Sequence, residues 1–218
     1  MENLKNTDCW YANVCEEDCS ACITYKQMLW QFDNSGLPKS KYKPIKLIPQ
    51  QIDVPAFEKL ADIRKNIDTF VSNGENLFLC SKYFGNGKTS WAIKMLQTYF
   101  HYTAEGSVWH LRGMFVSVPT LLIKLKEFDN PLSKEYKDNL QNVDLLILDD
   151  VAVTGVTQYD YLQLFSLIDQ RMLSNKSTIF TSNVNNRKDL TDIVGDRVAS
   201  RIWNNSVIVE LKGGDRRD

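Results

Sequence analysis

Leu77-Phe78-Leu79-Cys80-Ser81-Lys82-Tyr83-Phe84-Gly85-Asn86-Gly87-Lys88-Thr89 joins an apolar run to a glycine-rich turn, and Ala92, Ile93, Leu96, Tyr99 and Phe100 follow at helical spacing. A strand, a tight turn and a helix packed on one face form a cradle for the phosphates of a nucleoside triphosphate. Gly85 and Gly87 let the backbone N–H groups approach phosphate oxygens, with Asn86 between them in the cradle. Lys88 reaches the terminal phosphates, the Thr89 hydroxyl serves magnesium, and the helix N-terminus adds positive potential. The full pattern G-x-x-x-x-G-K-[ST] has glycine where this chain has Lys82. That position is less crowded by phosphate than the two glycines that remain, so nucleotide binding is expected to survive.

About sixty residues on, Val143-Asp144-Leu145-Leu146-Ile147-Leu148-Asp149-Asp150 reads as a buried parallel strand delivering two acids at its carboxyl end. Ligands bind at that edge of an open α/β sheet. Asp149 is expected to hold magnesium and Asp150 to orient the attacking water. Acids also simply terminate buried strands, but a phosphate loop upstream favours the functional reading. Ser177-Thr178-Ile179-Phe180-Thr181-Ser182-Asn183 reads as a further buried strand, whose terminal Asn183 could bond the water or the terminal phosphate. Asparagine is equally a turn-former there. Arg197 and Arg201, four apart, share one helical face.

The order of phosphate loop, LLILDD, TSN and GDRVASRI (195–202) resembles the AAA+ ATPases of the DnaC/DnaI helicase-loader and IstB-like group, over residues 33 to the end. Ser35-Gly36-Leu37-Pro38-Lys39 resembles the stretch that opens the ATPase domain in that group, near the adenine. Phe115-Val116-Ser117-Val118-Pro119 with Leu121-Leu122 resembles its second strand and following helix. The resemblance implies the strand order 5-1-4-3-2 and an Arg201 that reaches a neighbouring subunit's site. A nucleotide-sensing arginine would fall on the Arg216-Arg217 tail. It also implies ATP hydrolysis between subunits of a ring or spiral, single-stranded DNA as a ligand and a replicative DNA helicase as the partner. The compact length suggests a phage or mobile element. A transposition helper, or an adaptor that binds ATP without turnover, would share the same core.

The expected fold is a three-layer α/β sandwich with strands near 76–80, 114–118, 143–149, 177–182 and 207–211 and helices on both faces. Almost no helical lid is expected after the last strand. The chain has 218 residues, 43% hydrophobic, and a net charge of −1, so DNA contact must come from a local patch. Without an apolar span or a signal-peptide core, the expected location is the cytoplasm.

Four of the five cysteines, Cys9, Cys15, Cys19 and Cys22, cluster at the N-terminus. In a cytosolic protein they read as a metal site, structural zinc first and an iron–sulfur cluster second, with free thiols or disulfides as alternatives. Residues 1–32 would form this module and 33–218 the ATPase domain. Trp10, Tyr11, Tyr25, Met28, Leu29, Trp30 and Phe32 either pack the module or anchor a partner. Cys80 reads as a buried, inert thiol. Lys39, Lys41, Lys43 and Lys46, broken by Pro38, Pro44 and Pro49, read as a solvated linker or a phosphate contact. A helix is expected from Pro119 to Phe128, with Lys124 and Lys126 beside its leucines.

Overall fold

A computed structural model of the chain describes residues 22–104, 109–124, 131–155 and 157–215. Five strands, β1 (Asn76–Cys80), β2 (Gly113–Ser117), β3 (Leu145–Asp149), β4 (Ser177–Ser182) and β5 (Ser206–Glu210), form one sheet in the order β2-β3-β4-β1-β5. Every pairing is parallel. This is the 5-1-4-3-2 order expected from the sequence.

Both faces of the sheet are covered, which is why the strands read as continuous apolar runs. Leu77, Leu79, Ile147 and Ile179 point into one core. Helices α1 (Ile23–Asn34), α2 (Val54–Lys65), α3 (Ile67–Ser72) and α4 (Lys88–Thr103) cover it. Phe78, Cys80, Leu146, Leu148 and Phe180 point into the other. There α5 (Val118–Lys124), α6 (Pro131–Asn142), α7 (Gln158–Leu173), α8 (Arg187–Val194) and α9 (Asp196–Asn204) close it. Thr157 starts α7 through a capping box with Asp160, and Asn186 caps α8. Cys80 is fully buried, and burial pushes its thiol up to about 12, so it stays protonated and inert.

Three strands begin away from their expected first residue. β2 starts at Gly113 and β5 at Ser206, one residue early in each case. β3 starts two residues late, because Val143 still donates its N–H to Asn139 O at the end of α6 and gives its carbonyl to Arg171. The Asp144 carboxylate accepts from Lys176 at 2.7 Å, Arg112 at 3.2 Å and the Tyr99 hydroxyl at 3.2 Å. Burial would push this carboxyl up, but the bonds and charges of Lys176 and Arg112 outweigh it and hold it below the usual range. Of the helix expected over 119–128, α5 covers the first part, beginning one residue earlier; residues 125–128 lie outside the described residues.

α1 runs through residue 32 into the body built on the sheet. Met28 and Phe32 are buried in the first core, with Phe32 stacked on Tyr42 at 5.0 Å and edge-on to Phe100 at 5.7 Å. Trp30 meets Trp109 at 6.0 Å.

Sequence reading did not single out Arg171, which is 1% exposed. Its guanidinium donates to Leu140 O at 2.8 Å, Gln141 O at 3.3 Å, Val143 O at 2.9 Å, Ser177 O at 2.5 Å and Thr178 Oγ1 at 3.0 Å. It thereby ties the end of α6 to the starts of β3 and β4. Burial pushes it down to about 9, which leaves it charged at neutral pH. Arg171→Met should leave these acceptors buried and unpaired, and lower stability in denaturant titration by about 3 kcal/mol or more. Arg171→Lys, with three donors in place of five, should recover only part.

Candidate functional site

β1 lies between β4 and β5, so its C-terminal end opens at the carboxyl edge of the sheet, one strand in from the side closed by β5. The turn that leaves it puts Gly85 at φ 66° and Gly87 at φ 103°, left-handed values that favour glycine. Lys82 is exposed, and among the described residues the non-glycine positions with left-handed backbone are Asp150 and Asn175. Position 82 therefore makes no demand for glycine, and the departure from the motif leaves the loop's shape intact.

Lys88, 7% exposed, donates from Nζ to Tyr83 O at 2.8 Å and to Asn86 Oδ1 at 3.2 Å. Burial lowers its pKa, and the charges of Asp150, Cys80 and Asp149 oppose the shift. The side chain of Asn86 turns away from the loop's mouth. It donates to Ser81 Oγ, to Leu211 O at 3.3 Å and to Gly213 O at 3.4 Å. Asn86 thus shapes the loop and ties it to the chain leaving β5.

The acid pair sits across from this loop. Asp149 Oδ1 accepts from the Thr89 hydroxyl at 2.8 Å and from the Thr181 hydroxyl at 2.7 Å. The Asp150 N–H donates back to Thr181 Oγ1 at 2.9 Å. Asp150 has φ 61°, which swings its carboxylate out of line with β3, and Asn183 Nδ2 donates to its Oδ1 at 3.2 Å. Burial first, and then the charge of Asp149, raises the Asp150 pKa against the opposing pull of Lys88. Lys88, Thr89, Asp149, Asp150, Thr181 and Asn183 line one cavity of about 390 Å³.

This donor set fits magnesium. A hydroxyl and a carboxylate lie within hydrogen-bond distance of each other beside a second carboxylate, an all-oxygen set for a hard cation that keeps most of its waters. Thr89 and Asp149 are the residues that would hold it, and when bound the ion would neutralise charge between the terminal phosphates.

Thr181 and Lys41 were missed in the sequence. Thr181 is the penultimate residue of β4 and Asn183 follows the strand's last residue, so both reach the carboxyl edge of the sheet. Lys41 sits in the basic run taken as a linker, yet lines the cavity. The Ser35-Gly36 turn lies elsewhere: Ser35 O accepts from Phe115 N–H at 2.7 Å, so the turn docks on the outer edge of β2. Arg197 and Arg201 are exposed on α9, away from this protomer's cavity. Arg201 Nε pairs with Asp169 Oδ1 at 2.6 Å, its guanidinium 5.8 Å from the Phe165 ring. Cys9, Cys15, Cys19, Arg216 and Arg217 lie outside the described residues. Cys22 precedes α1 and accepts the Tyr25 N–H at 3.4 Å.

The sequence profile of the IstB-like ATP binding protein family matches residues 50–217. The replicative helicase loader DnaC of Escherichia coli strain K12 is 29% identical over 98 residues, covering 42% of this chain and 40% of that protein. DnaC of Buchnera aphidicola subsp. Baizongia pistaciae is 25% identical over 160 residues, covering 70% of this chain and 57% of that one. The matched region thus spans less than two thirds of either relative. The solved DnaC helicase loader has a TM-score of 0.68 at 20% identity, covering 80% of this chain and 100% of that chain. DnaI gives a TM-score of 0.61 at 20% identity, covering 80% and 94%.

The raised pKa of Asp150 carries a cost at neutral pH. The folded chain binds this proton more tightly than the unfolded one, so stability is lost as pH rises through the folded pKa. Asp150→Asn removes the term, and asparagine tolerates the left-handed backbone. Its Tm should exceed the parent's by about 1–3 °C at pH 7.5, with the gap narrowing toward pH 4. Thermal melts at the two pH values check this; a gap independent of pH would count against the electrostatic cause.

Proposed function

The chain belongs to the family of IstB-like ATP-binding proteins, and from that premise we propose that it is an ATP-dependent loader of a replicative DNA helicase onto single-stranded DNA. The observation that carries the ATPase part is the Asp149 carboxylate shared by Thr89 and Thr181, beside an Asp150 oriented by Asn183. In this reading the backbone from Gly85 to Thr89 cradles the phosphates and Lys88 reaches the terminal pair. Asp150 orients the attacking water, and Asn183 fixes Asp150. The name borne by the DnaC relatives supports the loader part. No helix among the described residues is long and apolar enough to cross a membrane, in keeping with a cytoplasmic role.

Catalysis is proposed to need a second copy of the chain. Arg201 is engaged by Asp169 at a partly exposed surface, where such a pair is worth about 0–1 kcal/mol. An arginine reaching a transferring phosphoryl group supplies roughly 10³–10⁵ in rate, about 4–7 kcal/mol. The exchange favours Arg201 leaving Asp169 for a neighbour's nucleotide. A zinc site on Cys9, Cys15, Cys19 and Cys22, ahead of the α1 that packs into the first core, is proposed to hold the helicase. The Tyr25 N–H directed at Cys22 Sγ is compatible with a metal-bound thiolate.

Lys88→Ala should abolish ATP binding, whereas Asp150→Asn should retain binding and lose turnover in a phosphate-release assay. Arg201→Ala should bind ATP without turning it over, and mixing it with Lys88→Ala should restore part of the activity. No recovery from mutants that demonstrably co-assemble would return Arg201 to a structural role.

The purified chain should also contain about one zinc, lost in Cys19→Ser while nucleotide binding persists. Capture experiments with the full chain as bait should retain a replicative helicase; retention of a transposase in its place would make the protein a transposition helper.

A further inference from the structure

The basic segment after α1 runs as a strap along α4. Pro38 O accepts the Lys41 N–H at 2.8 Å, closing a short turn. Gln97 of α4, fully buried, donates from Nε2 to Lys41 O at 2.5 Å and to Lys43 O at 2.9 Å. Lys94, on the same helix, donates to Ile45 O at 2.8 Å. Leu47 Cδ2 lies 3.8 Å from where a Cβ on Gly87 would stand. The strap ends at Asp53, 1% exposed, whose Oδ1 accepts the N–H groups of Lys212 at 2.7 Å and Gly213 at 3.1 Å.

This anchoring fixes the Lys41 backbone and brings its otherwise exposed side chain to the wall of the phosphate cavity, with Lys88, Thr89, Ser90 and Ile93. The charge of that wall makes the placement significant. Its charged residues are Lys41, Lys88, Asp149 and Asp150, two of each sign. Without Lys41 the side chains of the wall would sum to one net negative charge, leaving Lys88 as their one cation beside the magnesium that Thr89 and Asp149 would hold. Lys88 serves the outer phosphates. Ser90 and Ile93 lie beyond Thr89 along α4, on the side away from the outer phosphates, and the strap carrying Lys41 is bonded further along the same helix, at Gln97.

We infer that Lys41 is a nucleotide-binding residue, supplying a second ammonium to the inner phosphates of the nucleoside triphosphate and thereby joining the N-terminal strap to the nucleotide. The inference rests on the reading of this cavity as the ATP site. A consequence distinguishes it from a passive linker: bound nucleotide should hold the strap as well as the phosphate loop.

The test measures binding of fluorescent ATP and ADP analogues to the full chain, together with hydrogen exchange over residues 39–47. Lys41→Ala should weaken both nucleotides by roughly tenfold, because the inner phosphates are common to them. Lys41→Arg should stay within about twofold of the parent, and Lys46→Ala, on the same strap but off the cavity wall, should match it. Nucleotide should slow exchange across the strap in the parent and not in Lys41→Ala. Lys41→Met serves as a second neutral variant should the alanine form fold poorly. Parent-like affinity in the neutral variants, or an equal loss in Lys46→Ala, overturns the assignment. Loss of binding in Lys88→Ala alone would leave the ATP site standing and remove Lys41 from it. A parent that bound neither nucleotide would overturn both.

Discussion

One carboxylate oxygen, Asp149 Oδ1, accepts a hydroxyl from the phosphate-loop helix and a hydroxyl from β4. Both bonds need three elements far apart in sequence to end level with one another. β3 must pair with β4 so that Leu148 stands beside Phe180, and β4 with β1 so that Thr181 stands beside Leu79. A one-residue slip in either pairing would turn Thr181 into the opposite core and separate the acid from the loop. The site is thus a consequence of register. Register, in turn, is fixed because alternate residues of every central strand feed two different cores.

That dependence explains what the sequence made legible. Leu77-Phe78-Leu79 and Leu145 to Leu148 are apolar without interruption because both faces are buried. Their acids and glycines mark the one edge where polarity is allowed. Asp149, Asp150, Asn183 and the phosphate loop could be read for that reason. The first residue of a strand is less legible, since Val143 and Asp144 look like more of the same run. Only the position of Arg171, set by tertiary packing, takes the Val143 carbonyl out of the ladder.

The same limit hid the cations. Arg171 lies in an amphipathic helix where an arginine usually faces solvent, and nothing local says that the end of α6 will reach it. Lys41 lies among prolines and lysines, a composition that reads as extended linker. Its fixed position comes from Gln97, a residue 56 places away whose role cannot be seen without the fold. Ser35-Gly36 resembles a nucleotide-proximal turn by motif, and in the fold Ser35 O bonds the outer edge of β2. A motif specifies a local shape; the surrounding sheet decides what that shape touches.

The loop is held in shape by its own groups. Lys88 is satisfied by the Tyr83 carbonyl, and Asn86 is fastened to Ser81, Leu211 and Gly213, so the cradle is braced from behind. An incoming phosphate would ask Lys88 to exchange a neutral carbonyl for an anionic oxygen, a stronger charge-assisted bond. Lys88 has three N–H donors, so it can keep Asn86 Oδ1 while turning to a phosphate, and the glycines already hold the required backbone. Binding energy is then free to act on the parts that are not braced. These are the Lys41 side chain on its strap and Arg201 in its exchangeable surface pair, the two cations through which nucleotide occupancy would reach the N-terminal segment and a neighbouring copy.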